Sequence, residues 1–309
     1  MSWDVRGKTI LITGATSGIG LEAAVELARR GAEIVMIGRD ARKTEASVAD
    51  VAGRSGSTTV SHELCDFSSQ KAIRRLAESF RARHARLDVL VNNAGGVHKT
   101  RTLTEDGIEA TFAVNHLGYF LLTSLLLDLA IASAPSRIVT VASVGHRQGT
   151  MDFGDLCFER GYFIMRAYAR SKLANVLFAS ELARRLAGKG VTSNSLHPGP
   201  VATNIWSGAP AWAKPIIAVA FRPFFISSAA GAERIVQLAR TRSSTASPAS
   251  TSRRAVPSHR PPPGATRPSR PACGRSARVS SVWRPLSSTR GLPPRDSRRR
   301  RCRGTRGTG

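Results

Sequence analysis

Thr9-Ile10-Leu11-Ile12-Thr13-Gly14-Ala15-Thr16-Ser17-Gly18-Ile19-Gly20 is the stretch on which the reading of this chain turns. A β-rich apolar run, Thr9–Ile12, passes through the glycine loop Thr13–Gly20 into a helical pattern, Ile19–Arg30. Glycines let a backbone approach a ligand closely, and a helix start offers free N–H groups and the positive end of a dipole. Strand, loop and helix in that order read as a pyrophosphate site, with Gly14, Ser17, Gly18, Ile19 and Gly20 as its contacts. The spacing is G-x-x-x-G-x-G. The competing reading, a glycine turn that only packs strand on helix, explains less of this context.

Outward from this unit the pattern repeats. Further strands are expected at Glu33–Ile37, Thr59–Leu64, Val89–Val91, Arg137–Val141 and Thr192–Leu196. Helical stretches lie at Ala41–Ala52, Ser69–His84, Thr104–Ala132 and Tyr168–Ala187. Near-continuous apolar strands alternating with helices predict an α/β fold: one doubly wound parallel sheet, a Rossmann fold, with helices on both faces. Ligands of such sheets bind beyond the carboxyl ends of the strands, and every polar cluster of interest stands at such an end.

Two of these clusters suggest chemistry. Tyr168 and Lys172 are four apart, which puts a phenol and an ammonium on one helix face. A cation lowers a neighbouring phenol's pKa, so the pair reads as a general acid/base for an alcohol or carbonyl. The second strand ends Ile37-Gly38-Arg39-Asp40. An acid that would bind both ribose hydroxyls of NAD is replaced by Gly38, and Arg39 suits a 2′-phosphate. That favours NADP, with NAD still open; the alternative is a surface Arg39 paired with Asp40.

With these residues in hand, the sequence resembles the short-chain dehydrogenase/reductase family, in its retinol-dehydrogenase-like and WW-domain-oxidoreductase-like branch. The matching motifs are Thr13–Gly20, Cys65-Asp66-Phe67, Asn92–Gly95, Val114–Gly118, Val141-Ala142-Ser143, Tyr168–Lys172 with Leu173-Ala174-Asn175, and His197-Pro198-Gly199. They cover about residues 7 to 239. The resemblance implies an oxidoreductase acting on CH-OH groups, with Tyr168 as acid/base and Lys172 lowering its pKa while holding the nicotinamide ribose. It implies Ser143 as donor to the substrate oxygen and Asn115 as the residue that fixes a relay water. Asp66 would meet the adenine, with Phe67 beside it either a cofactor contact or core, and Asn93, Ala94 and Gly95 the adenosine half. Pro198, Gly199, Val201 and Thr203 would border the nicotinamide. The segment at about 201–228, rich in Ile, Trp and Phe, reads either as a lid over a lipophilic alcohol or carbonyl or as a helix pair that completes the core or a dimer contact.

Charge divides the chain in two. The net charge is +25, but residues 241–309 hold 17 Arg, no Lys and one acid, Asp296. Of those 69 residues 59 are Arg, Ser, Pro, Thr, Gly or Ala, too little apolar surface to offset ordering entropy. We read 241–309 as a disordered tail from out-of-frame translation of GC-rich sequence, replacing the family's last edge strand. Its loss would compromise any homo-oligomer. Residues 1–240 then form one catalytic domain. Met1–Lys8 leads straight into the first strand, and Ile216–Ile226, the most apolar segment noted, is too short to span a bilayer. The expectation is a cytoplasmic protein with no membrane span, no metal site and no nucleic acid in its native function. The alternatives are a catalytically silent nucleotide-binding protein of the same fold, or a nucleic-acid binder driven by the tail.

Overall fold

Runs of aliphatic and β-branched residues become strands here because both of their faces are covered. They are β1 (Thr9–Thr13), β2 (Glu33–Gly38), β3 (Val60–Leu64), β4 (Val89–Asn92), β5 (Ser136–Val141) and β6 (Val191–Leu196). In the computed structural model, which describes residues 3–199 and 227–240, all six pair in parallel in the order β3-β2-β1-β4-β5-β6. The order reverses between β1 and β4, which is where a doubly wound sheet opens a crevice. Every residue of β1, β4 and β5 is buried, whereas the edge strand β3 buries only Glu63 fully.

The helices are α1 (Gly18–Arg29), α2 (Ala41–Ser55), α3 (Gln70–Arg83), α4 (Ala110–Phe112), α5 (Gly118–Ala132), α6 (Ile164–Arg185) and α7 (Ser228–Arg240). Local chemistry sets several ends. Asp40 caps α2 by accepting from the Lys43 N–H at 2.8 Å, and Gly56, at φ 73°, ends it in the left-handed conformation. Ser69 caps α3 through the Ala72 N–H at 3.2 Å. On one face of the sheet α1 and α7 pack with Ile12, Val91 and Val139 in a single core. On the other, α3 packs against α5, and α6 against β5 and β6.

Two helix starts differ from the sequence expectation. The pattern from Thr104 becomes helical only at Ala110. Gly107 takes φ 72°, the Thr104 N–H bonds the Ile108 carbonyl at 2.9 Å, and the buried Glu109 carboxylate accepts from the Thr111 and Phe112 N–H groups, both at 2.8 Å. The preceding residues close a loop instead of a turn of helix. Conversely α6 begins at Ile164, so Tyr168 and Lys172 stand inside the helix and not at its start.

Ala110–Ala132 is long and apolar enough to cross a membrane, with a mean hydropathy of 1.5, though 56% of that window is buried inside the fold. Ile216–Ile226 was therefore not the segment to weigh for a membrane span; in this helix the apolar surface packs against α3 and the sheet. The tail expected at 241–309, the edge strand expected to be lost there, the segment Ile216–Ile226 and the lid expected at about 201–228, save Ser227 and Ser228, lie outside the described residues.

Candidate active site

The glycine loop fits a dinucleotide phosphate by its geometry. Gly14 takes φ 65°, and a Cβ there would stand 2.6 Å from the Ala94 Cα, so the loops after β1 and β4 touch backbone to backbone. A Cβ on Gly20 would stand 2.5 Å from the Asn93 amide nitrogen and 2.5 Å from the Gly14 carbonyl. Gly18 also lies at positive φ, 58°. Ile19 is buried beneath the loop. Unlike α2 and α3, α1 has at its N-cap, Ser17, no side-chain capping bond. Its first N–H groups thus lack a side-chain acceptor among the described residues and suit an anion.

Thr13 holds this cradle together. Its hydroxyl oxygen accepts from the N–H groups of Asn93 (2.8 Å) and Ala94 (3.0 Å) and donates to the Val91 carbonyl (3.2 Å). The Asn93 amide donates to the carbonyls of Thr13 (2.9 Å) and Gly14 (3.1 Å). Asn93 therefore ties loop to loop with its side chain. Gly95 is exposed beside it, and a Cβ there would meet the Asn115 oxygen at 3.2 Å.

Ser143, Tyr168, Lys172 and Asn115 come together at the ends of β5 and β4. The Ser143 hydroxyl lies near enough to the Tyr168 phenol to favour its ionised form. A Cβ on Gly145 would lie 3.5 Å from the Tyr168 ring and 3.6 Å from the Ser143 hydroxyl, so only a small residue fits between them comfortably. Lys172 is buried, and its ammonium donates to the Val141 carbonyl at 3.0 Å. It lies 5.7 Å from the centre of the Tyr168 ring and 6.0 Å from that of Tyr119. Asn115 sits in a π-helical turn, Ala113–Leu117, that joins α4 to α5. Such turns release backbone groups from the helix ladder. Here the Asn115 carbonyl accepts from the Asn175 amide at 2.9 Å. The Asn115 side chain bonds the Gly96 N–H (2.8 Å), the Gly96 carbonyl (2.9 Å) and the Ser171 hydroxyl (3.2 Å).

The titrations follow from burial. Burial raises the Tyr168 phenol above its ordinary value, and the nearby Ser143 hydroxyl pulls it part of the way back. Spacing alone anticipates a phenol lowered by its lysine; in the protein's own field the sign is opposite, because desolvation outweighs the pull of Ser143. Burial lowers Lys172 to about 8 and His116 to about 4. His116 is thus neutral, and its Nδ1 bonds the Asn175 oxygen at 3.0 Å.

Toward the adenosine side, Arg39 is exposed and makes no hydrogen bond or ion pair among the described residues, while Asp40 is engaged in capping α2. The alternative Arg39–Asp40 pair is not formed. Asp66 is exposed after β3 and accepts from the Ser68 N–H at 2.9 Å. Phe67 is buried against Gly118, where a Cβ would come within 2.6 Å of its ring, so its side chain packs in the core. Pro198 and Gly199 follow β6 at the other end, and Val201 and Thr203 lie outside the described residues. Sequence reasoning missed Tyr119, Ser171 and Asn175. Tyr119 donates to the Ala94 carbonyl across 25 residues, and Ser171 donates to the Tyr168 carbonyl at 2.7 Å. Asn175 alone carried a signal, standing one turn beyond Lys172 on the same helix face.

Comparisons with known proteins bear on the chain's family and fold. Residues 8–214 match the family model for short chain dehydrogenases. Retinol dehydrogenase 13 of Homo sapiens is 48% identical over 202 residues, covering 65% of this chain and 61% of that protein. Retinol dehydrogenase 14 of Mus musculus is 44% identical over 247 residues, 76% of this chain and 74% of that protein. The chain thus spans about three fifths of the first relative's length. Among solved structures, the Pseudomonas aeruginosa RhlG/NADP active-site complex matches with a TM-score of 0.62 at 25% identity, over 77% of this chain and 91% of that one. An uncharacterized protein from Mycobacterium Paratuberculosis matches at 0.61 and 34% identity, over 78% and 81%.

Proposed function

This chain belongs to the short-chain dehydrogenase family, and on that premise we propose that it interconverts a lipophilic alcohol and its carbonyl with NADP(H). The observation that carries the reading is the convergence of Ser143, Tyr168, Lys172 and Asn115 beside a glycine cradle at the carboxyl ends of β1, β4 and β5. A nicotinamide dinucleotide bound along that cradle supplies or accepts the hydride. The chain's own groups handle the proton. The Tyr168 hydroxyl gives it to, or takes it from, the substrate oxygen, and the Ser143 hydroxyl donates a second bond to the same oxygen. Ser143 accepts from the Gly145 N–H at 3.2 Å, which turns its own proton outward. The apolar Val144, Phe153 and Phe163, all exposed in the connection from Ser143 to Tyr168, support a lipophilic substrate. The direct test is turnover of a panel of aliphatic and aromatic aldehydes with NADPH; no turnover of any member by folded protein would refute the proposal.

NADP is favoured by Arg39, which has charge to offer and no partner among the described residues. Arg39→Ala is expected to weaken NADPH binding by roughly 1.5–3 kcal/mol, the value of a hydrogen bond to a charged group, and NADH binding little. Equal losses in titrations with both cofactors would assign Arg39 a structural role.

A pH dependence follows from Lys172. Below about pH 8 it is an ammonium, and above that value the buried amine is neutral. Reduction should therefore hold its rate up to about pH 8 and fall above it, since the phenol, raised by burial, still keeps its proton there. The stability sign is the reverse. Between about 8 and the ordinary 10.5 the unfolded chain binds the extra proton, so this group's contribution to stability rises with pH. A kcat/KM profile flat through pH 8 would detach Lys172 from the chemistry.

A further inference from the structure

The loops after β5 and β6 meet on one histidine ring. His197 Nδ1 accepts from the N–H of Val144, next to Ser143, at 3.2 Å, and from the N–H of Gly199 at 3.4 Å. The His197 carbonyl accepts from the Arg234 guanidinium of α7 at 2.6 Å. Two N–H donors on one nitrogen define the ring: Nδ1 carries the lone pair, and the single ring proton sits on Nε2. An imidazolium has no lone pair to offer and would turn a third N–H toward the other two.

We propose that His197 is a positioning residue, which as a neutral ring locks the Ser143 turn to the Pro198-Gly199 loop and releases both when it is protonated. The inference rests on reading Ser143 and Pro198-Gly199 as walls of the reacting end. The Val144 bond fixes the peptide that follows Ser143, and so the direction in which the hydroxyl points. The Gly199 bond fixes the turn at which Gly199 takes φ 100°. Burial keeps the ring neutral, and so do the positive or titrating groups that face it: Arg234 from α7, and His146 and Arg147 from the turn after Ser143. His146 makes a separate contact, its Nδ1 bonding the Ser143 carbonyl at 2.6 Å.

Amide hydrogen exchange of the full-length protein, corrected for the intrinsic pH dependence and followed from about pH 8 to 5, tests this without any turnover. In the wild type the Val144 and Gly199 amides should be protected at neutral pH and lose protection below the ordinary histidine range. His197→Asn, whose Oδ1 can stand where Nδ1 stands, should keep protection at every pH. His197→Gln, which places its amide near the Nε2 position, and His197→Ala should lose it throughout. His146→Gln should retain the wild-type step. In turnover of an aldehyde with NADPH, the Ala and Gln variants should lose ~10–100-fold in kcat, as a slight misplacement does, with Asn restoring most of it. The proposal is overturned if folded His197→Asn exchanges like His197→Ala, if the wild type shows no pH step, or if the step disappears in His146→Gln. Failure of the enzymatic reading would appear differently, as an absence of wild-type turnover with the exchange pattern intact.

Discussion

Tyr168→Phe is expected to reduce turnover by ~10²–10⁴-fold, the usual loss when a general acid is removed, with cofactor affinity nearly unchanged. The substitution deletes one hydroxyl and keeps the ring beside Lys172. The measurement is kcat under conditions where hydride transfer is rate-limiting, together with NADPH titration. A variant that kept more than about half of the wild-type kcat would remove Tyr168 from the chemistry. A variant that lost cofactor binding to the same degree would make its role one of architecture.

Gly14→Ala should cost both stability and cofactor affinity. The new Cβ would stand 2.6 Å from the Ala94 Cα and 3.0 Å from the Ala94 nitrogen, both backbone atoms that cannot swing aside. Overpacking of this kind costs ~1–3 kcal/mol, and the left-handed backbone adds ~1–2 kcal/mol for a residue with a Cβ. Gly56→Ala is the control. Gly56 has nearly the same φ, 73°, and nothing within 4 Å of its Cβ position. The difference between the two variants isolates the clash from the backbone strain. At ~2–4 °C of Tm per kcal/mol for a domain of this size, calorimetry resolves it. Equal Tm values for the two variants would mean that the loops after β1 and β4 do not depend on their close approach.

Much of the fold was legible because its determinants are local. The glycine loop between a short apolar run and a helix, and strands apolar throughout, follow from burial on both faces, and β1, β4 and β5 bury every residue. Tyr168 and Lys172 were legible because helical spacing is a local rule. The features that escaped depend on partners distant in sequence. The π-helical turn at Asn115 has no local signature, and its released carbonyl is matched by Asn175, 60 residues on. Tyr119 matters through Ala94, and Thr13 through the N–H groups of Asn93 and Ala94. The helix expected from Thr104 is delayed by a buried carboxylate, Glu109, whose capping role periodicity does not reveal. The sign of the Tyr168 shift was misjudged because pair spacing speaks of the cation and is silent on desolvation.

The Val141 carbonyl receives the Lys172 ammonium, the Gly96 peptide receives both ends of the Asn115 amide, and the Ala94 carbonyl receives Tyr119. In each case one partner is main chain, and a change of side chain does not delete a carbonyl or, proline apart, an N–H. The anchoring half of the constellation is therefore largely insulated from point mutation. Position 141 can exchange one β-branched residue for another without unseating the lysine. Genetic drift can accumulate at the receiving positions while the four side chains proposed to act keep their places. A saturation library should show this as an asymmetry: near-total intolerance at 115, 143, 168 and 172, and broad tolerance of similarly sized residues at 141.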